Sequence, residues 1–166
     1  NQEAADRYKT ILRDLRARGI DPMVTIFHFT TPVWFYDQGD WEWDGALEAF
    51  EEFVVQVAKE FGGDVDTWVT VNEPNVFALQ GYSLGNFPPG VQGDMTRTTN
   101  VYAATVKAHG VASKALRTHD TVDADGDGRA TWIGLAHHVR LQQAASSYAL
   151  DVALAGATND YTNEAV

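Results

Sequence analysis

The chain has 166 residues, 45% of them hydrophobic, and carries a formal net charge of −11 from 23 acidic and 12 basic residues. That length and apolar content allow one domain with a core of its own, whereas the acidity disfavours nucleic-acid binding, which needs a basic patch to meet phosphates. There is no cysteine and therefore no disulfide or thiolate metal site, and no apolar run approaches the roughly 20 residues that span a bilayer. Residues 1–18 are charged and lack the pattern of a secretory leader, which favours a cytoplasmic location. Fifteen Asp against four Lys would also suit a salt-rich setting, but an ordinary acidic soluble protein is the simpler reading.

In chain order, residues 2–18 read as an amphipathic helix, with Ala5, Tyr8, Ile11, Leu12 and Leu15 at helical spacing and Gly19 as its stop. The run 23–29 is β-branched and aromatic, as a buried parallel strand requires, and Thr30-Thr31-Pro32 ends it. Residues 33–43 read as an aromatic loop, with packing the expected role for most of its rings. Asp44 is the expected cap of a helix over 45–61, with Leu47, Phe50, Phe53, Val54 and Val57 on one face. A second strand follows at 67–71. A helix over 100–116 buries Val101, Ala104, Thr105, Ala108, Val111, Ala112 and Ala115, a third strand covers 131–137, and a last helix 144–155.

Helices alternating with strands imply parallel strands joined by crossover helices. Three strands do not close a barrel, since a (β/α)₈ barrel needs eight. The expectation is an α/β fold: about three parallel strands of a partial (β/α)₈ TIM barrel, with the N- and C-terminal barrel strands missing and residues 1–166 a single segment. On periodicity alone a small doubly wound sheet fits almost as well.

Chemistry concentrates in Thr70-Val71-Asn72-Glu73-Pro74. A carboxylate stands at the C-terminal tip of an apolar strand, the end where barrel enzymes keep their chemistry. A carboxyl group there can protonate a leaving group, and the adjacent amide can bind a hydroxyl. Glycoside hydrolysis uses this pairing with a second carboxylate, and no convincing second one is found in the chain. His28 ends the first strand and is a second candidate for hydroxyl binding. His109 lies on an apolar helical face and reads as structural, and His137-His138 lack further ligands at metal spacing. Asp123-Ala124-Asp125-Gly126-Asp127-Gly128 matches the first half of a calcium loop, but position twelve is Gly134 rather than a bidentate Glu. A solvated acidic loop is the preferred reading, calcium the alternative, and no metal or other cofactor is assigned.

The run Trp68-Val69-Thr70-Val71-Asn72-Glu73-Pro74, continued by Gln80-Gly81-Tyr82-Ser83-Leu84-Gly85-Asn86-Phe87-Pro88-Pro89-Gly90, closely resembles glycoside hydrolase family 1, the β-glucosidase family. Gly19 to Phe29 with Pro32 resembles the family's third barrel strand and its substrate-binding histidine, and Ala108-His109 and Ile133-Gly134 match its next helix and strand. The resemblance covers nearly the whole chain. It implies a retaining β-glycosidase in which Glu73 is the general acid/base, Asn72 binds the sugar 2-hydroxyl and His28 another hydroxyl. The family's nucleophile glutamate, in an Ile/Val-Thr-Glu-Asn-Gly-type motif on a late strand, is absent from this chain. The implied partners are a β-linked glycoside and the remaining barrel segments, with no nucleic acid and no membrane. Phe29 stands where the family often has tryptophan, and Thr30-Thr31 where Asp-Leu is commoner. Two alternatives stay open: an endo-acting Asn-Glu barrel hydrolase, and a non-catalytic fragment or sugar-binding half-barrel.

Overall fold

The structure is a computed structural model and describes residues 1–159. The chain divides into two compact units, Asn1–Ala136 and His137–Val166.

In the first unit the elements are α1 (Gln2–Ala17), β1 (Met23–Phe27), α2 (Val33–Gln38), a 3₁₀ turn (Asp40–Glu42), α3 (Ala46–Phe61), β2 (Thr67–Asn72), α4 (Pro74–Ala78), a π-helical turn (Leu79–Ser83), α5 (Met95–His119) and β3 (Trp132–Ala136). The three strands form one parallel sheet in the order β1-β2-β3. Each parallel step is bridged by a helix, α3 between β1 and β2 and α5 between β2 and β3, as the alternation in sequence requires. This is part of an α/β barrel rather than a closed one.

The core lies where α5 packs on β2 and α3 packs on α5, with residues of the sheet and of both helices in one cluster. Trp68, Val71, Val54, Val65, Ala108, Ala112 and Leu116 are essentially inaccessible to solvent. Burying one large apolar side chain of this kind contributes about 1.5–3 kcal/mol. On α5 the buried positions Val101, Thr105, Ala108, Ala112 and Ala115 recur at steps of three and four, so one mostly small-residue stripe faces inward and allows close approach.

Several boundaries differ from the sequence expectation, each for a local reason. β1 ends at Phe27 rather than at 29, because Phe29 takes a positive φ of 70° that no strand accommodates. Residues 33–43 are not a loop but α2 and a 3₁₀ turn, in which Phe35 and Trp41 are buried and Trp34 and Tyr36 exposed. Trp41 makes edge-to-face contacts with Phe27, Phe35 and Phe50, with ring centres 5.0, 5.3 and 5.2 Å away. The N-cap of α3 is Gly45 rather than Asp44, with no side-chain cap bond, and Phe53 on the expected inner face is half exposed, its place taken by Ala46 and Ala58. α5 starts earlier than expected, where Asp94 caps it by accepting from Arg97 N–H at 3.0 Å. On α1 only Leu12 is buried; Ile11 stays exposed, and so does Tyr8, although its ring meets Phe61 of α3 edge-on at 6.4 Å.

In the second unit, residues 137–148 are irregular and α6 spans Ala149–Asn159, later than the expected 144–155. The Asn159 side chain accepts from Gln142 N–H at 2.7 Å and donates to its carbonyl at 2.9 Å. Leu150, Val152 and Leu154 of α6 are exposed. Among the described residues no helix is long and apolar enough to cross a membrane.

Candidate active site

Glu73 caps α4 and adopts the left-handed conformation, with φ 42° and ψ 62°. Its N–H donates to the carbonyl of Ala136, the last residue of β3, at 2.7 Å, and its own carbonyl accepts from Phe77 N–H at 3.0 Å. Pro74 fills the first helical position, where its missing N–H costs nothing. The carboxylate-bearing residue is therefore anchored on both sides at the C-terminal tip of β2. Phe29, just past β1, is also left-handed. Non-glycine residues in this region cost about 1–3 kcal/mol each and concentrate at functional sites. Here two of them flank the C-terminal edge of one sheet.

A bulge in β2 changes what Asn72 faces. Val69 pairs with Gly134 and Asn72 with Ala136, so three steps on β2 match two on β3. Thr70 and Val71 together oppose Leu135, and both are fully buried. Trp68 and Thr70 bond Asp120 and His109 of the α5 side, so Val69 takes the opposite face of the sheet. Gly134 and Ala136 share one face of β3, and the bulge puts Asn72 on the same face as Val69, where strict alternation would have turned it toward the helices. That face becomes the interior in a closed barrel.

The register of β1 with β2 pairs Phe27 with Val71. His28 and Asn72 are each one residue beyond that pair, so the structure brings His28, Asn72 and Glu73 to one edge, His28 exposed and the other two half-buried. The His28 ring meets Phe29 edge-on at 4.9 Å. Phe29 in turn stacks on Phe77 at 6.2 Å and leans on Phe87 at 5.5 Å, joining the segments that follow β1 and β2.

A polar cluster ties the same two segments. The buried Tyr82 hydroxyl donates to Asp40 at 3.4 Å, the Arg97 guanidinium lies 5.1 Å over the Tyr82 ring, and Arg97 pairs with Glu42 at 2.6 Å. Burial raises the Asp40 carboxyl above its ordinary range, and burial with the nearby carboxylates raises the Tyr82 phenol well above its own. Asp40 did not stand out in the sequence, and Tyr82 appeared there only within the run Gln80–Gly90.

The opposite edge carries a second set of carboxylates. Asp66, at the start of β2, accepts from Arg16 at 2.9 Å and from Ala124 and Asp125 N–H at 2.9 and 2.8 Å. One oxygen each of Asp66, Asp123 and Asp125 lies within 4.8 Å of the others. Asp127, the third carboxylate of the calcium-loop alternative, instead accepts from Arg129 N–H and the Trp132 indole. The Asp123 carboxylate accepts from Gly126 and Gly128 N–H, so the loop amides curl around it. Nearby, buried Asp120 accepts from the Trp68 indole at 2.8 Å, and burial pushes its carboxyl up to about 6. A surface groove of about 670 Å³ runs along α3 beside Trp34 and Phe53, and none of His28, Asn72 or Glu73 lines it. Three strands do not enclose an interior, so the strand tips form an edge rather than a pocket.

The model of "Glycosyl hydrolase family 1" matches residues 1–164. The chain belongs to that family. The cytosolic β-glucosidase of Cavia porcellus is 36% identical over 122 residues, which are 74% of this chain and 25% of that protein. The chloroplastic galactolipid galactosyltransferase SFR2 of Arabidopsis thaliana is 31% identical over 142 residues, 84% of this chain and 23% of that protein. Among solved structures, the β-glucosidase from Thermotoga maritima in complex with deoxynojirimycin aligns with a TM-score of 0.85 at 27% identity, covering 98% of this chain and 35% of that one. The chain thus spans about a quarter of these curated relatives and about a third of the solved barrel.

Proposed function

We propose that this chain is the central portion of a retaining β-glycosidase, with Glu73 as its general acid/base. The observation that carries the reading is the left-handed, doubly anchored Glu73 at the tip of β2, beside Asn72, in a chain of glycosyl hydrolase family 1. In the first step Glu73 protonates the glycosidic oxygen as a nucleophilic carboxylate attacks the anomeric carbon. In the second it takes a proton from water, which displaces the sugar from that carboxylate. Two inversions leave the configuration unchanged. Asn72 binds the 2-hydroxyl and His28 another hydroxyl of the same sugar. The nucleophile comes from a strand of the complete barrel beyond these three. The β-glucosidases among the relatives support a terminal β-glycoside as substrate and water as acceptor.

The test is Glu73→Ala in the complete barrel. A dinitrophenyl glycoside leaves without protonation, so the variant should still form the glycosyl-enzyme and then stall. Azide needs no base and fits the vacated space. It should restore turnover and release a β-glycosyl azide. No rescue, or an α-azide, would mean that Glu73 is the nucleophile or that the mechanism is not retaining.

One observation favours a second reading for the chain by itself. Among the described strands Glu73 is the only carboxylate at a C-terminal tip, and β1 and β3 each have one unpaired edge. Retaining chemistry needs two carboxyls about 5–5.5 Å apart. Alone, the chain is a non-catalytic part of the barrel.

A further inference from the structure

Resting on the assignment of Glu73 as acid/base, we propose that Thr70 and His109 are positioning residues that hold the β2 bulge and thereby aim Asn72 and Glu73. The bulge is where the two catalytic-edge residues acquire their direction, and Thr70 is one of the two residues that form it. Its side chain is fully buried. Its hydroxyl lies 3.3 Å from the carbonyl of Gly134, the residue paired with Val69 at the start of the bulge, and 2.7 Å from Nδ1 of His109 on α5. The contact to β3 is therefore made by a side chain at the point where the regular backbone ladder is interrupted.

The hydroxyl has one proton to give. Given to the Gly134 carbonyl, it leaves the oxygen to accept, and the short contact then makes His109 the donor through Nδ1–H. The chain runs one way, from imidazole to hydroxyl to carbonyl, each bond polarising the next. Ser113 Oγ, one turn along α5, lies 3.4 Å from the same Nδ1 and is a weaker second acceptor. Burial and the nearby Arg117 lower the His109 pKa, so the ring is neutral at pH 7 and its tautomer is fixed by this bond rather than by charge. A neutral histidine side chain free in water prefers Nε2–H, so the assignment is the opposite of the default. α5 thereby reaches through Thr70 to the residues immediately before Asn72 and Glu73.

The test has a spectroscopic arm and a kinetic arm, both in the complete barrel. Nitrogen chemical shifts of ¹⁵N-labelled His109 in the unsubstituted protein should report the Nδ1–H tautomer, and Thr70→Val should move it toward Nε2–H. Thr70→Val should lower kcat on an alkyl β-glycoside by about tenfold to a hundredfold, with KM little changed, because a misaimed acid loses reaction geometry more than binding. Thr70→Ser, which keeps the hydroxyl, should restore most of kcat. His109→Asn, whose amide N–H can stand in for Nδ1–H, should outperform His109→Leu. An Nε2–H tautomer in the unsubstituted protein overturns the proposal without requiring any variant to fold. So does an unchanged kcat in folded Thr70→Val while Glu73→Ala is inactive on the same substrate. If Glu73→Ala turns that alkyl glycoside over normally, the catalytic assignment fails, and the positioning role falls with it.

Discussion

Asp120 gives the structure a stability signature that can be read against pH. Its side chain is 3% exposed, one oxygen accepts from the Trp68 indole at 2.8 Å, and the other is buried without a hydrogen-bond partner among the described residues. Burial, followed by the charge on Asp66, raises its pKa from the ordinary 3.8 to about 6. The folded state therefore holds this proton more tightly than the unfolded chain does. Stability from this group is fully present below pH 3.8 and is lost as pH rises through 6. At about 1.4 kcal/mol per pH unit, the loss is about 3 kcal/mol. Asp120→Asn keeps an acceptor for the indole N–H and cannot ionise. Urea unfolding of both proteins from pH 4 to 8, followed by tryptophan fluorescence, isolates the group because other titrations cancel in the difference. The variant should gain on the parent by about 2.4 kcal/mol across that range, the rest of the loss falling below pH 4, and most of the gain should come between pH 4 and 6.5. A difference that is flat with pH, or that moves in favour of the parent as pH rises, would refute the reasoning.

Three further outcomes follow from the packing and the chemistry. Trp41→Ala removes a ring that is 3% exposed and touches Phe27, Phe35 and Phe50, and should cost about 3–5 kcal/mol in chemical denaturation. Gly62→Ala would set a methyl group 2.7 Å from the Ala58 carbonyl and hard against the Asp120 carboxylate. It should destabilise by about 1–3 kcal/mol, seen as a lower Tm in calorimetry, where an exposed helix-end alanine would be neutral. These 166 residues alone should not turn over an aryl β-glucoside, and their open sheet edges should promote association in light scattering. Robust turnover by material of that mass would reveal a second carboxylate at the site.

The local pattern of the chain decided its elements. Helical spacing in residues 2–17 and 46–61, and β-branched runs at 23–27 and 67–72, specify their own conformation because hydrophobic period and backbone geometry are the same fact. Their alternation dictates a parallel sheet, and the Asn-Glu-Pro run at a strand end marks the candidate site, since proline stops the strand just where a carboxylate stands. Other features depend on residues far apart in sequence, and only the tertiary structure decides them. The β2 bulge exists only relative to β3, and it is what turns Asn72 to the face of Val69. The left-handed turns at Phe29 and Glu73 persist because surrounding contacts hold a conformation that neither side chain prefers locally. His109 gave only an apolar helical position to the eye, yet its ring meets Thr70 across 39 residues. The aromatic stretch 33–43 carried no clean period, so its helical turns emerge only where Trp41 finds Phe27 and Phe50 to pack against. A sequence records what each residue favours alone; direction at a strand tip, burial of a carboxylate and the tautomer of an imidazole are set by neighbours that only the folded chain supplies.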